Sequence, residues 1–416
     1  VSPTQSYRRL FASTGLTYVL VAFLGRLPLA MSQLGVLLLI ADTTDSYGAG
    51  GACAGALAVA NAIGAPMWGG WADRAGQRLV VLIQSVTGAF ALAVLLITAH
   101  SDLSWAWAAV ASAVAGFLMP QVGPLARVRW RPITADSGPH QPRLVSTAFS
   151  YEGAADEASF VLGPALVGLC VSIVSPTFAL ATAAVLLAVF GTWFALHETA
   201  RVAHAAPRAS AEGASRLLTP ALTVLCLAQL AIGMVFGSVQ TGTSVLATDA
   251  GAPGLTGIFH ALLGIGSVAA GLALAGLPDR FALPTRLRWF AVAFLALALP
   301  LLMVRSLATL APVLLVLGLS VAPYMITTFT LGEQLTPASR TSAAMTLLAA
   351  ATGLGYAAGA AIAGRLADWG GHTPAFAVTV AAGVLAVLIS WSGRSLLGRA
   401  DERARHGAPL VNTVHP

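Results

Sequence analysis

Twelve long apolar runs, joined by short polar turns, dominate this 416-residue sequence. They fall at residues 14–41, 47–72, 79–99, 104–126, 147–174, 177–196, 217–246, 255–277, 289–303, 307–331, 342–363 and 375–397. About 20 apolar residues cover the hydrocarbon core of a bilayer, so most of these runs are long enough to cross it. The chain is 57% hydrophobic and 9% charged, where soluble proteins carry about 25% charged residues. The runs are unbroken, unlike the roughly 10-residue alternating segments of a membrane barrel. The reading is an all-α membrane protein with twelve transmembrane helices.

The polar segments set the organisation. Residues 197–216 are polar, alanine-rich and without apolar periodicity, which marks a linker. The chain therefore divides into a six-helix half at 1–196, the linker, a second half at 217–397 and a tail at 398–416. All 22 basic residues are arginine, and 19 of them fall in loops on the side holding the N-terminus, linker and tail. That count places Arg127, Arg129, Arg131 and Arg143 in one basic loop. Arg305 and Arg365 lie on the other side and Arg26 inside a run. Such a bias predicts both termini in the cytoplasm. The formal charge of +6 is thus a topology signal and no nucleic-acid footprint. Lysine-free, alanine-rich composition points to a bacterial chain, and so to the inner (plasma) membrane.

The run at 147–174 carries Glu152, Asp156 and Glu157 in its first half, and Gly163-Pro164 and Gly168 in its second. A carboxylate at membrane depth costs about 2.5 kcal/mol or more, so it faces a cavity or a partner. Glu152 and Asp156 are one turn apart and share a face; Glu157 is turned about 100° away. At 1.5 Å per residue, Arg26 lies about 18 Å into its run and Asp156 about 15 Å in from the same side. Opposite charges at matching depth predict a pair. Such a pair serves either as a proton relay or as a fixture of helix packing, and both readings fit the residues.

The second run closes on Gly69-Gly70-Trp71-Ala72-Asp73-Arg74-Ala75-Gly76-Gln77-Arg78. This resembles the signature loop between helices two and three of the major facilitator superfamily, G-x-L-A-D-R-x-G-R-K/R. Gly69, Ala72, Asp73, Arg74, Gly76 and Arg78 fit; Trp71, Gln77 and Leu79 depart. Sliding the chain by 206 residues lays Asp73-Arg74 on Asp279-Arg280. A slide of 196 lays Gly163 on Gly359, Gly168 on Gly364 and Ser146 on Ser342. Two duplicated six-helix halves are a known transporter design. The resemblance implies two pseudo-symmetric halves that rock about a central site. It implies that Gly69, Asp73, Arg74, Gly76 and Arg78, with the eroded copy Asp279 and Arg280, form a gating latch. In that family the aspartate meets a neighbouring helix end and favours the outward-facing state. Gly163, Pro164 and Gly168 resemble the helix-five motif of superfamily exporters, G-P-x-x-G-G, which implies gating there and export. The exporters' helix-four pattern R-x-x-Q-G is not kept: Leu118 stands at the arginine position, before Gln121.

The fold so implied lines its cavity with helices one, four, seven and ten. Arg26, Gln33, Gln121, Gln240, Thr241, Tyr324 and Thr327 are then the candidate substrate contacts, each equally able to hold a neighbouring helix. No G-x-x-x-x-G-K-[ST] loop is present, so the proton gradient rather than ATP is the expected energy source. No metal spacing or nucleophile triad is seen, and no enzyme, metal or cofactor is expected. The expected partners are a small-molecule substrate, the lipid bilayer and protons, with a monomer as default. The functional expectation is proton-coupled efflux of small amphipathic or apolar molecules by alternating access, coupled at Asp156, Arg26, Glu152 and Glu157. Proton-coupled uptake of a small polar or anionic metabolite is the alternative, with Arg26 gripping the anion.

Overall fold

A computed structural model describes residues 3–44, 47–205, 218–252, 255–277 and 281–406. It contains twelve membrane-length apolar spans. They run Gln5–Thr44, Ala49–Ala75, Gln77–Ala99, Trp105–Ile133, Ala135–Ile173, Pro176–Leu196, Pro220–Ala247, Thr256–Ala273, Leu283–Met303, Leu307–Leu335, Thr341–Ala367 and His372–Ser392. Twelve crossings return the chain to the face on which it began, called here the termini face. The turns between spans two and three, four and five, and ten and eleven share that face. Two departures from the expected boundaries occur. A short helix, Thr199–Ala205, opens the segment read as linker, and a helix at Arg394–His406 runs into the segment read as tail. Leu397 and Asp401, one turn apart, are buried there. Asp279 and Arg280 lie outside the described residues.

Helix ends follow local chemistry. Ser175 caps span six by accepting from the N–H of Phe178 (3.1 Å), with Pro176 at the first helical position. Ser306 and Thr309 form a reciprocal capping box at the start of span ten. Gly76 has φ of +90°, a left-handed turn that fits glycine, and it separates spans two and three.

Two spans are broken within the membrane. Span one is helical over Pro3–Leu24, with a kink at Gly15 (φ +74°), and again over Leu27–Thr44. Pro28 has no N–H to give to Leu24, and the chain turns through Gly25 and Arg26. Span four is helical over Trp105–Leu118 and Val122–Ile133, with Pro120 at the gap. The two breaks abut: a Cβ on Gly25 would lie 3.5 Å from Val122 Cγ1, and one on Gly123 would lie 3.2 Å from Arg26 Nε. Arg26 therefore sits at a break, where a continuous helix was expected.

Apolar burial is arranged half by half. One cluster joins spans one to six around Leu39, Leu57, Leu92 and Leu187. The other joins spans seven to twelve and takes in Val145 and Phe149 of span five. The duplication shows in the packing. A Cβ on Gly163 of span five would come within 2.9 Å of the Ala30 backbone in span one, and one on Gly359 of span eleven within 2.6 Å of Met234 Cα in span seven. Gly168 and Gly364 both face open space. The helix contact read for Gly168 is thus corrected: it is exposed, and of the two glycines Gly163 makes the close approach.

Spans seven and eleven meet backbone to backbone. A Cβ on Gly355 would lie 2.8 Å from the carbonyl carbon of Leu230 and 3.0 Å from its Cα. Neither atom can swing away. Gly355→Ala is expected to cost about 1–3 kcal/mol, read as a lower melting temperature in detergent. Gly364→Ala, with nothing within 4 Å, should melt with the wild type.

Candidate functional site

The breaks in spans one and four frame a cluster of four charges. Arg26 Nε donates to Asp156 Oδ1 (2.9 Å), and its Nη2 pairs with Glu152 Oε2. Arg127 Nη1 reaches Asp156 Oδ2 at 2.7 Å. Trp130 Nε1–H donates to Glu152 Oε1 (2.5 Å). Each Asp156 oxygen thus serves one arginine, while Glu152 is fixed by Arg26 and the indole. The side chains of Arg26, Arg127 and Glu152 are 3%, 0% and 0% exposed, and that of Asp156 is 15% exposed. Ions so deep persist only when paired and hydrogen-bonded. Gly123 leaves room for the pair, since a Cβ there would displace the Asp156 carboxylate from Arg26.

Arg127, Arg129 and Arg131 do not form a loop, as their density of charge implied. They belong to the helix Val122–Ile133. The missed signal was the continuing spacing of Val122, Leu125, Ala126, Trp130 and Ile133, one face of a helix. Arg129 is held by Gln77 Oε1 (2.9 Å), the Phe194 carbonyl (2.9 Å) and Thr199 Oγ1 (3.0 Å), and stacks 3.6 Å from the Phe194 ring. It ties spans three, four and six together. Arg127 lies over the ring of Phe329 in span ten, 4.2 Å from its centroid. Phe329 belongs to the opposite half.

Glu157 takes a different face. On span five it lies between Ala154 and Val161, which meet Gly271 and Gly264 of span eight. It is 3% exposed. Ser267 and His260 of span eight fall on the stripe that faces it, and His260 Nδ1 has no hydrogen-bond partner among the described residues.

The termini face is closed by contacts between the halves. Asp73 at the end of span two accepts from the N–H groups of Ser342 (2.9 Å) and Ala343 (3.0 Å), in the first turn of span eleven. A carboxylate at a helix N-terminus satisfies orphan donors and the helix dipole together. Gly69, one turn before, permits the approach: its Cβ would lie 2.8 Å from the Ser342 carbonyl. Arg131 of span four grips Glu333 of span ten through two bonds, one of 2.8 Å. Every residue from Ser320 to Glu333 of span ten is buried. Arg74 is exposed and Arg78 half-buried on this face.

The residues read as substrate contacts scatter. Gln33 is half-buried in span one. Gln121 donates to Asn61 Oδ1 (2.6 Å), and Asn61 in turn donates to the Gly116 (2.9 Å) and Met119 (3.1 Å) carbonyls. Pro120 has no N–H for the Gly116 carbonyl, which takes the Met119 N–H (3.2 Å) and the Asn61 amide instead, so the Asn61–Gln121 pair braces the break in span four. Gln240 accepts from Tyr356 OH (2.8 Å). Thr241 and Thr327 bond back to the carbonyls of Gly237 and Pro323. Tyr324 is corrected: it is fully buried, with its hydroxyl 3.5 Å from Ser390 Oγ of span twelve, inside its own half.

The profile of the Major Facilitator Superfamily matches residues 16–345. No curated protein matches the chain in sequence. Among solved structures, the human organic anion transporter MFSD10 (TETRAN) superposes with TM-score 0.67 at 20% identity, over 89% of this chain and 98% of that one. A bacterial homologue of the iron transporter ferroportin, in an outward-facing state, gives 0.70 at 16% identity, over 91% and 98%. The proton:xylose symporter XylE gives 0.66 at 13% identity, over 90% and 95%. At such identities the likeness is one of fold.

Proposed function

From the premise that this chain belongs to the major facilitator superfamily, we propose that it is a proton-coupled secondary transporter of small organic molecules, with Asp156 as the group that takes the proton. The observation that carries this is the four-charge cluster at two broken helices. Asp156 bridges Arg26 and Arg127 and alone among the four is in partial contact with solvent. Discontinuous helices at mid-membrane are where transporters of this kind hold substrate and ions. Glu152 is the fixed member of the pair, and Glu157, at the seam of spans five and eight, is the second candidate for proton traffic.

The latch residues Gly69, Asp73 and Gly76, with Arg131 and Glu333, would hold the termini face shut. With that face cytoplasmic, as the loop arginines imply, the described state is outward-facing. Taking Arg127, Arg129 and Arg131 out of the loop count leaves the arginine excess on the same side. Two directions of transport are supported by different observations. Export of amphipathic molecules rests on the Gly163-Pro164 pattern of span five. Uptake of an anionic molecule rests on the two arginines at the cluster, and the geometry favours this second reading. Residence in a bacterial inner membrane as a monomer completes the proposal.

Proteoliposomes with an internal pH dye test it. A substrate that moves protons through the wild type should move none through Asp156→Asn, while counterflow of labelled substrate persists. Equal proton movement in both would remove Asp156 from coupling and pass the role to Glu157.

A further inference from the structure

The cluster holds more buried donors than its carboxylates use. Among the described residues, Arg26 Nη1 and Arg127 Nε and Nη2 are buried with no hydrogen-bond acceptor. Buried N–H groups left unsatisfied are costly, more so on a charged group. Arg127 meets the Asp156 carboxylate through Nη1, and its guanidinium carbon lies over the Phe329 ring of the opposite half. Asp156 spans the two guanidinium groups with one oxygen each. It marks where a carboxylate fits.

We propose that Arg26 and Arg127 bind a carboxylate of the transported molecule, and that Asp156 is an internal stand-in which leaves the arginines when it is protonated. This deepens the proton role given to Asp156 above and rests on it. The charge count selects the ligand. Two arginines and two carboxylates are neutral together. A proton on Asp156 and a monoanion on the arginines keep that balance, whereas a dianion does not. Glu152 stays in place, because Trp130 and Arg26 both hold it. Proton and anion therefore bind together, and they cross together. When the halves part at the termini face, Phe329 withdraws from Arg127 and opens the same arginine to the other side.

The titratable groups around Asp156 are few. Span one brings Arg26 and, beyond it, Tyr18; span four brings Arg127. Its own helix brings Glu152, with Tyr151 and Glu157 in electrostatic reach. Span eight brings no titratable group to this level among the described residues, His260 lying about two turns further along the seam, and span ten faces the site with the uncharged Phe329 and Ile326.

The test is calorimetric titration of the purified full chain in detergent with benzoate and octanoate, each against its amide, benzamide and octanamide. Two buffers of different ionisation heat report proton uptake. The wild type should bind at least one carboxylate in preference to its amide. It should take up about one proton per anion and lose about tenfold in affinity per pH unit on the alkaline side. Asp156→Asn should bind the same anion more tightly, with no proton uptake and a flat pH profile. Arg127→Gln should lose about tenfold or more in anion affinity. The charge-balanced Asp156→Asn/Arg127→Gln double variant guards against misfolding: it should melt near the wild type and still fail to bind the anion. Amides binding as well as acids, no carboxylate binding at all, or loss of anion binding in Asp156→Asn would each overturn the proposal. The two readings fail separately. Proton-coupled movement of a neutral compound that Asp156→Asn abolishes leaves the coupling role intact and sinks the anion site. Anion binding without proton uptake sinks the coupling role and leaves the arginines as a binding site.

Discussion

Arg26→Met is expected to destabilise the protein by about 3–5 kcal/mol, the usual cost of stranding a buried partner charge. Among the described residues, the fully buried Glu152 would keep only the Trp130 indole as side-chain partner, and Asp156 only Arg127. Three charges would then remain where four cancelled. Removing the stranded carboxylate as well, in Arg26→Met/Glu152→Met, should recover most of the loss, because Arg127 and Asp156 are left as a neutral pair. Thermal unfolding in detergent, followed by size-exclusion chromatography, reads both variants. A single variant that melts with the wild type would mean that the cluster does not carry its charges paired.

The second large effect is on the conformational balance. Asp73→Asn weakens the hold on the first turn of span eleven, and Glu333→Gln breaks the bridge to Arg131. The Arg131 side chain is 54% exposed, so its bridge is partly screened and the Asp73 contact is the stronger of the two. Together they are worth about 2–3 kcal/mol, a shift of roughly 30- to 150-fold towards the open termini face. Spin labels on cysteines at Asp136 and Pro337, both exposed on that face, would report it. The background would lack Cys53, Cys170 and Cys226, which are free thiols. The double variant should show a longer inter-label distance as its main population. An unchanged distance distribution would assign closure to the apolar seam alone.

The spans were legible because lipid demands long apolar runs, and nothing local competes with that signal. The meeting of Arg26 with Asp156 was legible from depth, since a charge in a membrane has few places to find a partner. Arg127 was not, because a helix that keeps three arginines looks like a loop until Trp130 and Ile133 are counted on its face. The Arg131–Glu333 bridge joins residues 202 apart, and no local pattern records which halves will touch. Gly168 shows the converse. Its motif is visible, but facing open space is a property of how the helix is rotated, and composition does not report rotation. Asn61 at the Pro120 break was hidden likewise: the need for a cap is written at Pro120, and the cap comes from another span.

The glycine contacts are of two mechanical kinds. Some set backbone on backbone, as at Gly116 against Leu57, Gly266 against Leu315 and Gly355 against Leu230 within a half, and at Gly69 against Ser342 between the halves. At spans five and eight, where the halves meet, glycine takes a side chain instead: Gly153 receives Ile326 and Gly264 receives Val161. Backbone contacts interlock like gear teeth and resist sliding, whereas a branched side chain rolling on a bare glycine surface behaves as a bearing. The seam of spans five, eight and ten therefore carries a bearing, and larger residues at Gly153 or Gly264 would act as a brake on transport rate while leaving each half assembled.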